Sequence, residues 1–370
     1  MPSITPTLRC LEQRQLRSRK PVRCASSLSL HQRLAALARP AAGRTYSYGM
    51  LAVATGASAL WPQATAAVLE PVLLLGLVSL GMAHGACDQL VLPAYRPERR
   101  RGWRYLLRFA VGYLGLAGAV GLVWWRWPGL GTGLFFALTV WHWGSADAPA
   151  HPQPGVWMGH SLLRGALLLA VPAWRWPVET AHHVNGLLQL MGSTPLATSS
   201  WGSLLPIVAA GHVGLWGYFA CRRELSRLYR DVGETGLLMG LLLALPPLHA
   251  LGTYFVFWHS WQHILRLAPV LDNRASKPMG ARWGLLRQVA FFGRRALPML
   301  AVSLVAGGLA YGLGRATQAA IGSWLSVAVV GASVVTLPHA LLVSVVMDAS
   351  KWQSIRGNRQ QAGLALSITQ

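Results

Sequence analysis

Histidine and aspartate interrupt several of the chain's most apolar stretches. His84 and Asp88 sit in GMAHGACDQL, His142 and Asp147 in WHWGSADA, and His259 and His263 in FVFWHSWQHILR. Ionisable groups inside a membrane are costly and mark functional sites. His259 and His263 are four positions apart, so a helix projects both imidazoles from one face, the spacing two ligands of one metal require. His84 and Asp88 share that relation. The aspartate is therefore expected to accept the second ring N–H of a ligand and fix its tautomer, and Asp147 is expected to orient an imidazole in the same way. His339, in TLPHALLVSVVMD, is expected to support a ligand from behind, with helix packing as the plain alternative. His212 reads as a helix–helix hydrogen-bonding residue. His160, His182 and His183 read as interfacial residues, and His31 and His151 as tail or loop residues.

An all-imidazole set suits zinc, copper, iron or nickel. The one thiol close by in sequence, Cys87, falls off the histidine face. Four neutral imidazoles would leave a divalent iron, Fe(2+), its full charge and open positions for dioxygen. The flanking residues are apolar and aromatic: Trp141, Trp143, Tyr254, Phe255, Phe257, Trp258 and Trp261. Of these, Trp141, Tyr254, Phe255 and Trp258 are the candidates to line a greasy substrate entering from the bilayer. The residues alone thus point to a membrane metallo-oxygenase acting on a lipid.

Such a site needs helices to position it, and the composition supplies them. The chain is 53% hydrophobic and 12% charged, with mean hydropathy +0.38; soluble domains carry about twice that charged fraction. The expected fold class is all-α, a polytopic transmembrane helix bundle. Apolar runs are read as ten spans, at about 48–66, 69–92, 105–125, 131–148, 159–174, 203–221, 234–248, 250–268, 293–314 and 321–347, with 178–192 as a surface or re-entrant helix. Arginine clusters follow the second span (Arg96 to Arg104), the sixth (Arg222 to Arg230), the eighth and the tenth. With the N-terminus inside, every cluster falls on the cytoplasmic side, so both termini are expected there. At about 1.5 Å rise per residue, His84, His142, His259 and His263 then lie roughly 7–13 Å inside the cytoplasmic ends of their spans. Three helices of independently set orientation bring four of the twelve histidines to one level.

The formal charge of +22 would suggest nucleic acid for a soluble chain. In a membrane chain it suggests anionic lipid facing the basic loops, and no nucleic-acid partner is expected. Cys10, Cys24, Cys87 and Cys221 contain no CxxC pair, so neither a zinc ribbon, a redox motif nor a disulfide framework is implied. Residues 1–47 form an Arg-rich, Ser-containing segment, read as a disordered cytoplasmic tail; a transit-like peptide and an overextended start are the other readings. Residues 48–348 are read as the catalytic domain and 349–370 as a short cytoplasmic tail.

Taken in order, GMAHGACDQLVLP, TVWHWGSADA, YFVFWHSWQH and TLPHALLVSVVMD resemble the Brp/Blh family of beta-carotene 15,15'-dioxygenases over about residues 80 to 350. The resemblance implies a multi-pass plasma-membrane enzyme that cleaves beta-carotene centrally with dioxygen to give two retinal molecules. It implies iron held by four histidines, which by motif position are His84, His142, His259 and His263, and a retinal-binding rhodopsin as downstream partner. Two departures stand out, the long basic N-terminal segment and Gln89 after HGACD. A di-iron desaturase or hydroxylase is the nearest rival, but such enzymes need more histidines in HxxHH boxes. A transporter with a His/Asp relay is the rival from another class, and it predicts internal repeats that the sequence does not display.

Overall fold

The computed structural model describes residues 30–95, 102–196, 202–272, 284–316, 324–349 and 351–352. They form helices joined by short turns and loops, with no strand among the described residues. In chain order the helices are α1 (Leu30–Leu60), α2 (Pro62–Gly76), α3 (Met82–Gly85), α4 (Asp88–Tyr95), α5 (Trp103–Arg126), α6 (Pro128–Asp147), α7 (Pro154–Arg175), α8 (Pro177–Leu190), α9 (Leu204–Cys221), α10 (Leu225–Ala244), α11 (Pro247–Tyr254), α12 (Trp261–Leu271), α13 (Leu285–Ala316) and α14 (Trp324–Leu342). Among the described residues, three π-helical turns join or extend them: Leu77–Gly81, Phe255–Ser260 and Val343–Met347.

Among the described residues, six stretches are long and apolar enough to cross a membrane: Pro62–Gly85, Trp103–Arg126, Pro154–Arg175, Leu204–Cys221, Leu285–Leu309 and Val327–Met347. They turn apolar side chains outward, as Leu107, Val111 and Leu114 of α5 do. That is the pattern of a helix solvated by hydrocarbon rather than water.

Several expected boundaries move. The first two spans part at Trp61, not near 67, because Pro62 opens α2, where a missing N–H costs nothing. Helix α10 starts at Leu225 and ends at Ala244, earlier than the expected 234–248. Its first turns carry Arg230, Asp231 and Glu234, which are paired within the bundle. Helix α1 begins at Leu30, and Gly43 and Ser47 are buried, so the expected tail boundary at 47 falls inside a helix. Residues 1–29 and 353–370 lie outside the described residues. So do 96–101 and 273–283, with most of the arginine cluster after the second expected span and part of the one after the eighth.

Two closures hold the bundle around the site. In the first, α6 packs on α7 at glycine. A Cβ on Gly144 would overlap the Ser161 carbonyl, and one on Gly165 would overlap the Val140 carbonyl. Small residues let helix backbones approach closely where no hydrophobic force drives them together. Gly144→Ala and Gly165→Ala are each expected to cost about 1–3 kcal/mol through overpacking. Thermal unfolding in detergent checks this, with Gly159→Ala on the open side of α7 as the unchanged control.

The second closure is a buried polar network. Arg164 donates to Asp231 Oδ1 at 2.7 Å and also pairs with Glu234. His160 Nε2 meets Asp231 at 2.6 Å, and Trp216 Nε1 donates to Asp231 Oδ2 at 2.8 Å. Arg44 and Tyr48 reach Glu234 from α1 at 2.6 and 2.5 Å. Buried charges persist only when paired and hydrogen-bonded in this way.

Candidate metal centre

Five histidines, not four, converge. Ring centroids are 5.7 Å apart for His84–His259, 5.2 Å for His84–His263, 4.9 Å for His84–His339, 5.0 Å for His142–His259, 5.0 Å for His142–His339 and 5.4 Å for His263–His339. One nitrogen from each of His84, His142 and His259 can be chosen so that all three lie within 4.8 Å of one another, a group that could hold a metal ion. All five residues are buried.

Local backbone explains how they meet. His84 comes shortly after the π turn Leu77–Gly81, His259 lies in the π turn Phe255–Ser260, and His339 is four residues before the π turn Val343–Met347. A π turn closes i→i+5 bonds, so it rotates the residues beyond it relative to an unbroken α-helix, and such turns collect at functional sites. His142 comes from α6, which the glycine contact presses against α7.

The hydrogen bonds assign tautomers. The His84 Nδ1–H donates to the Gly81 carbonyl, leaving Nε2 as its lone-pair nitrogen. The His339 Nδ1–H donates to both Asp88 oxygens, at 3.0 and 2.9 Å. Among the described residues, neither ring nitrogen of His142, His259 or His263, nor Nε2 of His339, has a hydrogen-bond partner. Buried polar atoms almost always have partners, and so many orphaned imidazole nitrogens facing one another fit a metal ion that takes their lone pairs. The residues present thus match the donor set of a first-row transition ion.

Both expected carboxylate roles change. Asp88 does not hold His84. The helix breaks at Ala86–Cys87, between α3 and α4, so the four-residue spacing no longer means one face. The break turns Asp88 toward α14, where it takes the His339 N–H, and the Tyr113 hydroxyl donates to it at 3.0 Å. Asp147 accepts the Tyr254 hydroxyl at 2.7 Å rather than an imidazole. Five residues along α6 carry it about 140° around the helix from His142.

The aromatic surround is also redistributed. Phe255 stacks on His259 at 5.8 Å and meets His84 edge-on at 5.5 Å, and Tyr254 lies 6.3 Å from His259. Trp143, 5.7 Å from His259 and 5.6 Å from Phe255, completes this wall. Trp141 instead packs with Trp157 and Trp352, and Trp258 with Tyr48 under the Arg164 guanidinium. Beyond α14, Lys351 donates to the Ser145 carbonyl at 2.6 Å and pairs with Asp348 at 3.2 Å; burial pulls its pKa below the usual lysine value. His212 Nδ1–H bonds the Val208 carbonyl of its own helix, at 3.0 Å, and stays apart from the cluster. The positions of Tyr113 and Lys351 left no signal in the sequence; Trp143 was marked only by its place next to His142.

An all-helical bundle with membrane-length apolar helices around a buried polyimidazole centre is the class that fold and site define. Within it, the chain belongs to the beta-carotene 15,15'-dioxygenase family, which it matches over residues 75–347. It is 28% identical over 331 residues to a Halobacterium salinarum protein named "Probable beta-carotene 15,15'-dioxygenase Blh", covering 83% of this chain and 92% of that one. It is 27% identical over 274 residues to the "Beta-carotene 15,15'-dioxygenase" of an uncultured marine bacterium, covering 72% of this chain and 90% of that one. No solved structure matches.

Proposed function

We propose that this chain is an iron-dependent dioxygenase of the plasma membrane that cleaves beta-carotene at its central 15,15' double bond, giving two molecules of all-trans-retinal. The observation that carries the proposal is the buried triad His84, His142 and His259, with ligand atoms within 4.8 Å, in a chain of this family. His263 is the fourth proposed ligand. The carbon–carbon double bond is broken, and each of its carbons takes one oxygen atom of dioxygen. The four electrons that reduce dioxygen come from the alkene, so no other reductant and no net proton transfer are needed.

Iron, when bound, supplies activation of dioxygen beside the polyene. The protein's own part is positional. The Gly81 carbonyl holds His84 in the tautomer that presents Nε2. Phe255, Trp143 and Tyr254 offer flat apolar faces on one side of His259, suited to a conjugated chain. The apolar bundle keeps water from the reacting bond. Tyr254 is held at its hydroxyl by Asp147, which fixes the ring rather than supplying a proton. Trp141 and Trp258, expected to line the substrate, are reassigned to the packing that supports this wall.

The proposal includes ten spans with both termini cytoplasmic, arginine-rich loops facing anionic lipid, a carotenoid drawn from the bilayer, and a retinal-binding rhodopsin as recipient of the product. Expression in a beta-carotene-producing bacterium tests it. The orange colour is expected to bleach, with retinal in the extract. Undiminished colour with folded, iron-loaded protein present would overturn the substrate assignment.

A further inference from the structure

The geometry points to His339 as a further ligand of the same metal ion, with Asp88 and Tyr113 as the chain of groups that positions it. The inference rests on the metal centre proposed above and adds a fifth imidazole to it.

Position is the first support. The His339 ring lies 4.9 Å from His84, 5.0 Å from His142 and 5.4 Å from His263. It is closer to His84 than His263 is, at 5.2 Å. A residue serving only to hold a ligand would stand behind one imidazole. His339 stands against three.

The hydrogen bonds are the second support. Both oxygens of Asp88 receive the Nδ1–H, so the lone pair is on Nε2. That atom is buried and has no partner among the described residues. A carboxylate that binds one ring nitrogen while the other faces a metal is the usual support for a histidine ligand, fixing its tautomer and raising its basicity. The carboxylate placed for that role here serves His339.

The third support is the cost of the arrangement. Asp88 is 3% exposed and His339 5% exposed in a bundle with an apolar exterior. Burying a carboxylate costs several kcal/mol unless its lone pairs are satisfied. Tyr113 reaches it from α5 at 3.0 Å, so three helical elements commit polar groups to the orientation of one ring. A histidine serving only in packing needs neither this chain nor a bare nitrogen on a ring set against three other imidazoles.

The test reads the metal directly. The full chain, purified in detergent, is loaded with Co(II), whose visible bands intensify as coordination number falls. His339→Ala is expected to intensify and shift those bands, and free imidazole added to that variant to restore the wild-type spectrum by filling the space left. Asp88→Asn is expected to keep wild-type bands while lowering Co(II) affinity about 10–100-fold. A His339→Ala spectrum identical to wild type, in protein that binds Co(II), would overturn the fifth ligand and leave the four-histidine centre standing. A wild-type chain that takes up neither Co(II) nor Fe(II) would overturn both. If His339→Ala aggregates, Asp88→Asn decides alone: unchanged Co(II) affinity removes the support chain and the ligand with it.

Discussion

His259→Ala is expected to remove nearly all bound iron and to lower retinal formation by about three to four orders of magnitude. His259 is the residue of the triad that meets all three rings of the aromatic wall, Trp143, Tyr254 and Phe255. It is 1% exposed, and its ring touches His84, His142, Trp143 and Phe255. A metal that stabilises charge in the reaction supplies several kcal/mol, and each 1.36 kcal/mol is about a factor of ten in rate. His142→Ala is expected to do the same. The double variant should be scarcely worse than either single one, because ligands act as a unit. Iron per chain by elemental analysis and retinal by chromatography check this together. Full iron content with full activity in either single variant would rule out the triad as the centre.

Arg164→Met is expected to cost the most stability, about 3–5 kcal/mol, without touching the histidines. Arg164 is 1% exposed, and its guanidinium reaches both Asp231 and Glu234. Removing it takes away a cation that pairs with both buried carboxylates, leaving Asp231 with His160 and Trp216 and Glu234 with Arg44, Arg230 and Tyr48. Neutralising them as well, in Arg164→Met with Asp231→Asn and Glu234→Gln, should recover much of the loss, because the penalty lies in the uncompensated charge. Arg164 also lies 5.8 Å over the Trp258 ring, the residue before His259, so partial loss of iron should accompany the loss of stability. Thermal unfolding in detergent reads the first effect and metal content the second. Equal stability of the single and triple variants would mean the network carries no such strain.

Much of this was legible in the chain. Apolar runs marked the helices, but the starts read at 131, 159 and 178 fall after the prolines that open these helices, Pro128, Pro154 and Pro177. Where a run crosses a turn without charge, as at Trp61, hydropathy could not place the break. Arginine positions and the four-residue spacing were enough to bring His84, His142, His259 and His263 together. The same spacing rule misplaced Asp88, because it presumes an unbroken α-helix and the chain unwinds at Ala86. It gave no role to the approach of α14, since the His339–Asp88 contact joins residues 251 positions apart. Periodicity describes one helix at a time, and partners across helices are set by packing.

The three π-helical turns bear on how this protein can change. Each turn holds one more residue than ordinary winding would take. Were one of them to rewind as α-helix with every residue kept, the side chains beyond it would swing by about 100° relative to those before it. Rewinding Leu77–Gly81 would turn His84 away from its neighbours, and rewinding Phe255–Ser260 would do the same to His263, with sequence and hydropathy unchanged. The meeting of the histidines therefore depends on how these turns wind as well as on which residues they contain.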